Sequence, residues 1–162
     1  MSEVKTARLT AGDRDLARQL FAMMARVFEE PNEALSDTYL DRLLGRRHFW
    51  ALAALQGDEV VGGVTAHALP MTRAQSTELF IYDVAVRPDH QRRGIGRQLL
   101  TALRAAAVQA GIGELFVPAD NEDTHALDFY RAVGGSAAAV TIFTFAGGPP
   151  ASGGQPKAAR SG

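Results

Sequence analysis

Six consecutive residues carry the plainest chemistry in this sequence: Gln91-Arg92-Arg93-Gly94-Ile95-Gly96. Two glycines with basic side chains at a helix start expose backbone N–H groups at the positive end of the helix dipole, which suits a phosphate or pyrophosphate. Arg97 follows and Arg87 precedes, so four arginines crowd this stretch. The loop lacks GxxxxGK[ST], and Leu99 stands where GxGxxG needs its third glycine, so it fits neither of the two commonest phosphate motifs. Asp83 is the second candidate, because an acid amid Ile81, Tyr82, Val84 and Val86 is costly to bury without a partner. It could orient a cation or take its proton, with Glu78 as a second candidate for base. Further acids gather at Glu29, Glu30, Glu33, Asp37 and Asp41, and again at Asp120, Glu122 and Asp123. Such clusters attract and steer multivalent cations. One region suits an anion and the others a cation.

Composition narrows the chemistry further. With no Cys, disulfides, thiolate metal sites and a covalent thiol intermediate are excluded. The four His (His48, His67, His90, His125) lack i, i+4 spacing, so no metal site is expected and each reads as structural or exposed. A net charge of −1 gives no case for nucleic-acid binding. No stretch approaches the roughly 18 to 20 apolar residues of a membrane span, and the first residues lack a signal-peptide core. A soluble cytoplasmic protein is expected.

The elements that must position these residues follow from pattern. At 162 residues, 46% hydrophobic and 22% charged, one domain of ordinary size is expected. Val4 to Leu9 can form a strand. Thr10 or Asp13 caps a helix through Leu16, Leu20, Met23, Met24 and Val27, which Pro31-Asn32 ends. Ser36 caps a second helix that stops at Gly45. His48 to Gln56 and Val60 to Leu69 read as a hairpin, with Gly62-Gly63 marking a bulge or a close backbone approach. Leu79 to Val86 is the central strand, and alternation sets Glu78 and Asp83 on opposite faces unless a bulge intervenes. A helix with apolar Ile95, Leu99, Leu103 and Ala106 follows. Glu114 to Ala119 is a further strand, Thr124 to Val133 a helix, and Ala137 to Phe145 a final strand. Residues 147–162 are rich in Gly, Pro and Ser and are expected to be disordered. The sum is an α/β domain with a mixed sheet over residues 1–146.

Gln/Arg-x-x-Gly-x-Gly/Ala between a strand and a helix resembles the acetyl-coenzyme A signature of the GNAT acyltransferases, and Gln91 to Gly96 matches it at every required position. The resemblance covers roughly residues 4–146. Within that superfamily IYDVAV, QRRGIG, PADNED and ALDFYRAVG are most similar to the type I aminoglycoside (gentamicin) 3-N-acetyltransferases.

The resemblance implies the GNAT acyltransferase fold, in which parallel fourth and fifth strands splay to admit the pantetheine of acetyl-coenzyme A. It implies that backbone N–H groups of Val84, Ala85 and Val86 pair with that pantetheine, and that Arg92, Arg93 and Arg97 contact phosphate through side chains. Gln91, Gly94, Ile95 and Gly96 are then expected to contribute mainly through their backbone. Tyr130 stands where many members keep a tyrosine that protonates the leaving thiolate and meets the cofactor. Tyr82, Asp83, Asp120, Glu122, Asp123, Glu29 and Glu30 become candidates for holding a small polycationic acceptor. The activity implied is transfer of acetyl to the 3-amino group of an aminoglycoside, giving resistance. Another amine or a protein N-terminus as acceptor, or an idle acetyl-coenzyme A sensor, are the alternatives. Several members are dimers, so a homodimer is a further expectation, with no nucleic-acid or membrane partner.

Overall fold

Runs of β-branched and aromatic residues alternate with amphipathic stretches along this chain, and the computed structural model, which describes residues 2–148 and 160–161, folds them into one sheet between two helical layers. The order is β1 (Val4–Arg8), α1 (Arg14–Val27), α2 (Asp37–Leu44), β2 (Phe49–Gln56), β3 (Glu59–Pro70), β4 (Thr77–Val86), a 3-10 turn (Pro88–His90), α3 (Ile95–Gln109), β5 (Glu114–Phe116), α4 (Thr124–Ala132) and β6 (Arg160–Ser161). The sheet runs β1-β2-β3-β4-β5, antiparallel as far as β4 and parallel between β4 and β5. This is the mixed α/β sheet that the sequence predicts.

Each face of the sheet buries its own core. On one side Leu52, Val64, Ile81, Val84 and Val86 pack under Leu99, Leu103 and Ala107 of α3 and Ala126 of α4. On the other, Ala51, Ala53 and Ala85 lie beneath Leu20, Met23 and Met24 of α1 and Leu40 of α2. Each fully buried leucine contributes about 1.5–3 kcal/mol. The α1–α2 layer is fastened by Arg14, which pairs with Asp37 at 3.3 Å and Asp41 at 2.6 Å, and by Arg18 on Asp37. Ser36 caps α2 as expected, its side chain accepting from the N–H of Tyr39 at 3.1 Å. Asp13 precedes α1 but turns back to accept from the N–H of Thr10 at 2.7 Å instead of capping forward.

The glycine pair in β3 serves both purposes foreseen for it. Val61 is the extra residue of a bulge opposite Ala54 and Leu55. At Gly63 a Cβ would stand 2.2 Å from Cδ1 of Leu20 and 3.0 Å from the carbonyl of Leu52. Leu20 is fully buried and has nowhere to withdraw. Gly63→Ala is therefore expected to cost about 1–3 kcal/mol, read as a lower urea midpoint at unchanged slope.

Two sequence expectations need correction. β5 ends at Phe116, not Ala119, since Pro118 has no N–H for a ladder and the chain leaves β4 there. Ala137 to Phe145 forms no strand; Val140, Ile142, Phe143 and Phe145 are exposed and no ladder reaches them among the described residues. Alternation of apolar residues permits a strand, but only a partner edge makes one. The bulge that would bring Glu78 and Asp83 to one face does intervene in β4. The tail expectation falls mainly on residues 149–159 and 162, outside those described, while Arg160–Ser161 pair parallel with Asp83 and Val84.

Candidate acyl-transfer site

The cofactor side of the site begins where β4 loses its neighbour. β5 pairs with β4 only at Glu78, Leu79 and Phe80, so the edge from Ile81 to Val86 diverges from β5. That is the splay implied by the resemblance. β6 takes its place at Asp83 and Val84, on backbone groups that an incoming extended ligand would also need.

Beyond Val86 the chain is held in a fixed bend. Arg87 pairs with Glu59 and, at 2.7 Å, with Asp89. His90 is buried, with Nδ1 2.9 Å from Asp89 and Nε2 2.9 Å from the Gln56 side-chain oxygen. The hydrogen bond from His90, then that from Arg87, holds the Asp89 carboxyl down at about 2. Arg87 is thus committed to structure, and His90 is a structural histidine as expected.

The loop that follows has the backbone an anion site requires. Arg92 and Gly94 both have positive φ, 63° and 79°. α3 then starts at Ile95 with the first N–H groups lacking helical partners. Gly96 lets α4 approach, because a Cβ there would lie 3.0 Å from the Phe129 ring. Gln91 acts differently from expectation: its side-chain amide donates to the Val86 carbonyl at 3.0 Å and ties the loop to β4.

These elements enclose a cavity of about 370 Å³. Val84, Val86, Gln91, Arg92, Gly94, Ile95, Gly96 and Arg97 all line it, so most of the predicted cofactor residues converge. Three do not border it. Ala85 faces the α1–α2 core, Arg93 is exposed, and Tyr130 is buried beside Phe129 with ring centroids 5.3 Å apart. The sequence reading missed His125 and Asp128, which complete the wall. Their i, i+3 spacing, continued by Phe129 and Ala132, marks one helix face and was the available signal. The phosphate-binding fit is good: free helix-start amides, positive-φ residues and two arginines border one concavity.

The opposite face of β4 holds a different environment. Thr65 pairs with Asp83 but Ala66 pairs with Ile81, so Tyr82 is an extra residue in β4. Before it, Leu79 and Ile81 face α3; after it, Val84 and Val86 do. Glu78 and Asp83 therefore share the α1–α2 face, both half-buried. Around them runs a row of rings that sequence pattern did not reveal. Phe21 meets Phe49 at 6.4 Å, Phe49 meets His67 at 5.4 Å, His67 meets Tyr82 at 5.7 Å, Tyr82 meets Phe80 at 5.9 Å, and Phe80 meets Phe116 at 5.2 Å. It joins α1 to β5 across the mouth of the splay.

The remaining acids are less convergent. Glu29 and Glu30 are exposed just past the end of α1. Asp123 caps α4, accepting from the Ala126 N–H at 3.0 Å, and Asp120 accepts from the Glu122 N–H at 2.9 Å. Glu122 is exposed. Among the described residues no cluster of His, Asp and Glu has metal-binding geometry, and no helix is long and apolar enough to cross a membrane.

Comparison with known proteins bears on the family. Residues 17–134 match the model of the acetyltransferase (GNAT) family. A Bacillus subtilis (strain 168) protein described as the uncharacterized N-acetyltransferase YvbK is 30% identical over 105 residues, 65% of this chain and 61% of that protein. The aminoglycoside acetyltransferase meta-AAC0020, from an uncultured soil metagenomic sample and solved with sisomicin, is 33% identical with a TM-score of 0.83, covering 88% of this chain and 95% of that one. A second soil metagenomic aminoglycoside acetyltransferase, HMB0005, is 29% identical with a TM-score of 0.84 over 90% and 99% of the two chains.

Proposed function

This chain belongs to the acetyltransferase (GNAT) family, with acetyl-coenzyme A as its cosubstrate, and on that premise we propose that it acetylates the 3-amino group of an aminoglycoside. The observation that carries the reading is the sharing of one face, beside the splayed edge of β4, by Glu78 and Asp83. Two carboxylates spaced along one face, opposite Leu69 and Thr65, favour an acceptor with several separated positive charges. The likeness to meta-AAC0020 and HMB0005 supports the same acceptor class.

The roles follow from placement. Arg92, Arg97 and the amides that open α3 hold the pyrophosphate, with Arg93 as an outlying charge. Backbone groups of Val84 to Val86 hold the pantetheine arm and polarise the thioester carbonyl. The cosubstrate supplies an activated acetyl group there. Asp83, with Glu78 and the Tyr82 ring beside it, holds the acceptor's cationic end. Asp120, Glu122, Asp123, Glu29 and Glu30 act at longer range, by steering. Tyr130 protonates the departing sulfur. Acetylation removes one positive charge from the drug and so weakens its hold on RNA, which would confer resistance.

The test is thiol release from acetyl-coenzyme A with gentamicin, kanamycin, neomycin, spermidine and a short peptide, followed by NMR mapping of the modified nitrogen. Release with gentamicin and acetylation at N3 is the expected result. Turnover confined to spermidine or peptide would keep the family and discard the drug.

A further inference from the structure

We propose that His67 is a catalytic residue of this acyl transfer, accepting the proton that the attacking amine sheds as its bond to the acetyl carbon forms. The inference deepens the acyl-transfer reading above and rests on it, but it does not depend on which amine is the acceptor.

Geometry brings His67 to the reacting centre from β3, a strand that the sequence motifs do not reach. Thr65 is the direct partner of Asp83, and His67, two residues along β3, projects from the same face. Diagonal neighbours on one sheet face lie about 7–8 Å apart, a gap that one amine, or one amine and one water, can bridge. The imidazole is fixed between Phe49 and Tyr82, at 5.4 and 5.7 Å, so its direction is set by packing. It is half-buried, and its nitrogens make no hydrogen bond among the described residues. Neither nitrogen is among the sealed polar atoms, so the ring is open to a partner from the solvent side.

The carboxylates nearby are poorly suited to this step. Glu78 and Asp83 stabilise a cationic amine, which makes its proton harder to remove. A neutral base complements them. Burial, then the positive charge of Arg46, pushes His67 below its ordinary value, so the ring is neutral and ready to accept at neutral pH. The groups facing it are Arg46 from the turn before β2, Phe49 of β2, and Glu78, Tyr82 and Asp83 of β4, with Phe21 of α1 closing the row behind Phe49.

The step balances without a further reactant. The free amine attacks the thioester carbon, and the nitrogen becomes cationic and strongly acidic as the C–N bond forms. His67 takes that proton, the C–S bond breaks with its electron pair left on sulfur, and Tyr130 protonates the thiolate. Imidazolium and tyrosinate then re-equilibrate with solvent.

The experiment measures kcat against pH for the wild type, His67→Gln and His67→Ala, using whichever amine of the panel is turned over, with acetyl-coenzyme A binding as the check on folding. The wild type should lose activity with an acid-side midpoint below about 6.5. His67→Gln should lower kcat about tenfold and abolish that limb, and added imidazole should restore part of the His67→Ala rate. Both variants keeping wild-type kcat and the same acid limb would overturn the proposal, as would a lowered rate with the limb intact and no imidazole rescue. Failure of every aminoglycoside beside a spermidine profile carrying the His67 limb would sink only the drug assignment.

Discussion

Tyr130→Phe should lower kcat by about 10²-fold and leave the KM for acetyl-coenzyme A within twofold of wild type. The substitution keeps the ring that packs beside Phe129 and removes only the hydroxyl, so the buried cluster around α4 is preserved. On the role proposed for Tyr130, what disappears is the proton for the departing sulfur, a contribution of roughly 10²–10⁴-fold for a positioned general acid. The measurement is steady-state kinetics across pH, paired with thermal unfolding to establish that the fold is intact. An unchanged rate at every pH would make Tyr130 a packing residue and leave solvent to protonate the thiolate.

Asp83→Asn should reduce kcat/KM for a polycationic acceptor by about 10²-fold, corresponding to roughly 3 kcal/mol for a charge-assisted contact. Asparagine matches aspartate in volume, so the register of β4 with Thr65 should survive. The loss should fall on the acceptor and not on the donor, because the cavity proposed to hold the pyrophosphate lies across the sheet beside α3 and α4. It should also shrink with rising salt if Asp83 acts through its charge. An equal loss for a monocationic acceptor would point instead to a role in the bond-making step, in competition with His67.

Local features of this protein were legible because local features write themselves into sequence. Gln91 to Gly96 announced a glycine loop opening a helix, Ser36 a cap, and the order of apolar runs a mixed sheet, while the parallel pairing of β4 and β5 was implied by the family resemblance. What stayed hidden depends on relations between distant segments. The run Ile81 to Val86 alternates plainly enough, and nothing in it says that Tyr82 is looped out against β3. His67 looked like a scattered histidine because its companions, Phe49 from β2 and Phe80 and Tyr82 from β4, arrive from two other strands. His125 and Asp128 were readable from helical spacing alone, yet only the approach of α4 to Gly96 turns that face into a wall. Ala137 to Phe145 shows the converse, a strand-like composition without a ladder among the described residues.

The extra residue in β4 also bears on how this protein can change over time. Tyr82 shifts the phase of the strand, so that residues on either side of it can both send aliphatic side chains beneath α3 and both send acids toward the other face. Substitution at any one position disturbs one side chain. Gain of a single codon between Leu79 and Asp83 would invert every position beyond it, driving Asp83 into the aliphatic layer and Val84 out of it, whereas loss of Tyr82 would leave Asp83 opposite Thr65 in a regular ladder. Descendants of this sequence are accordingly free to respell β4 or to shed its extra residue but not to lengthen it, and new acceptor preferences must arise by exchange within those limits.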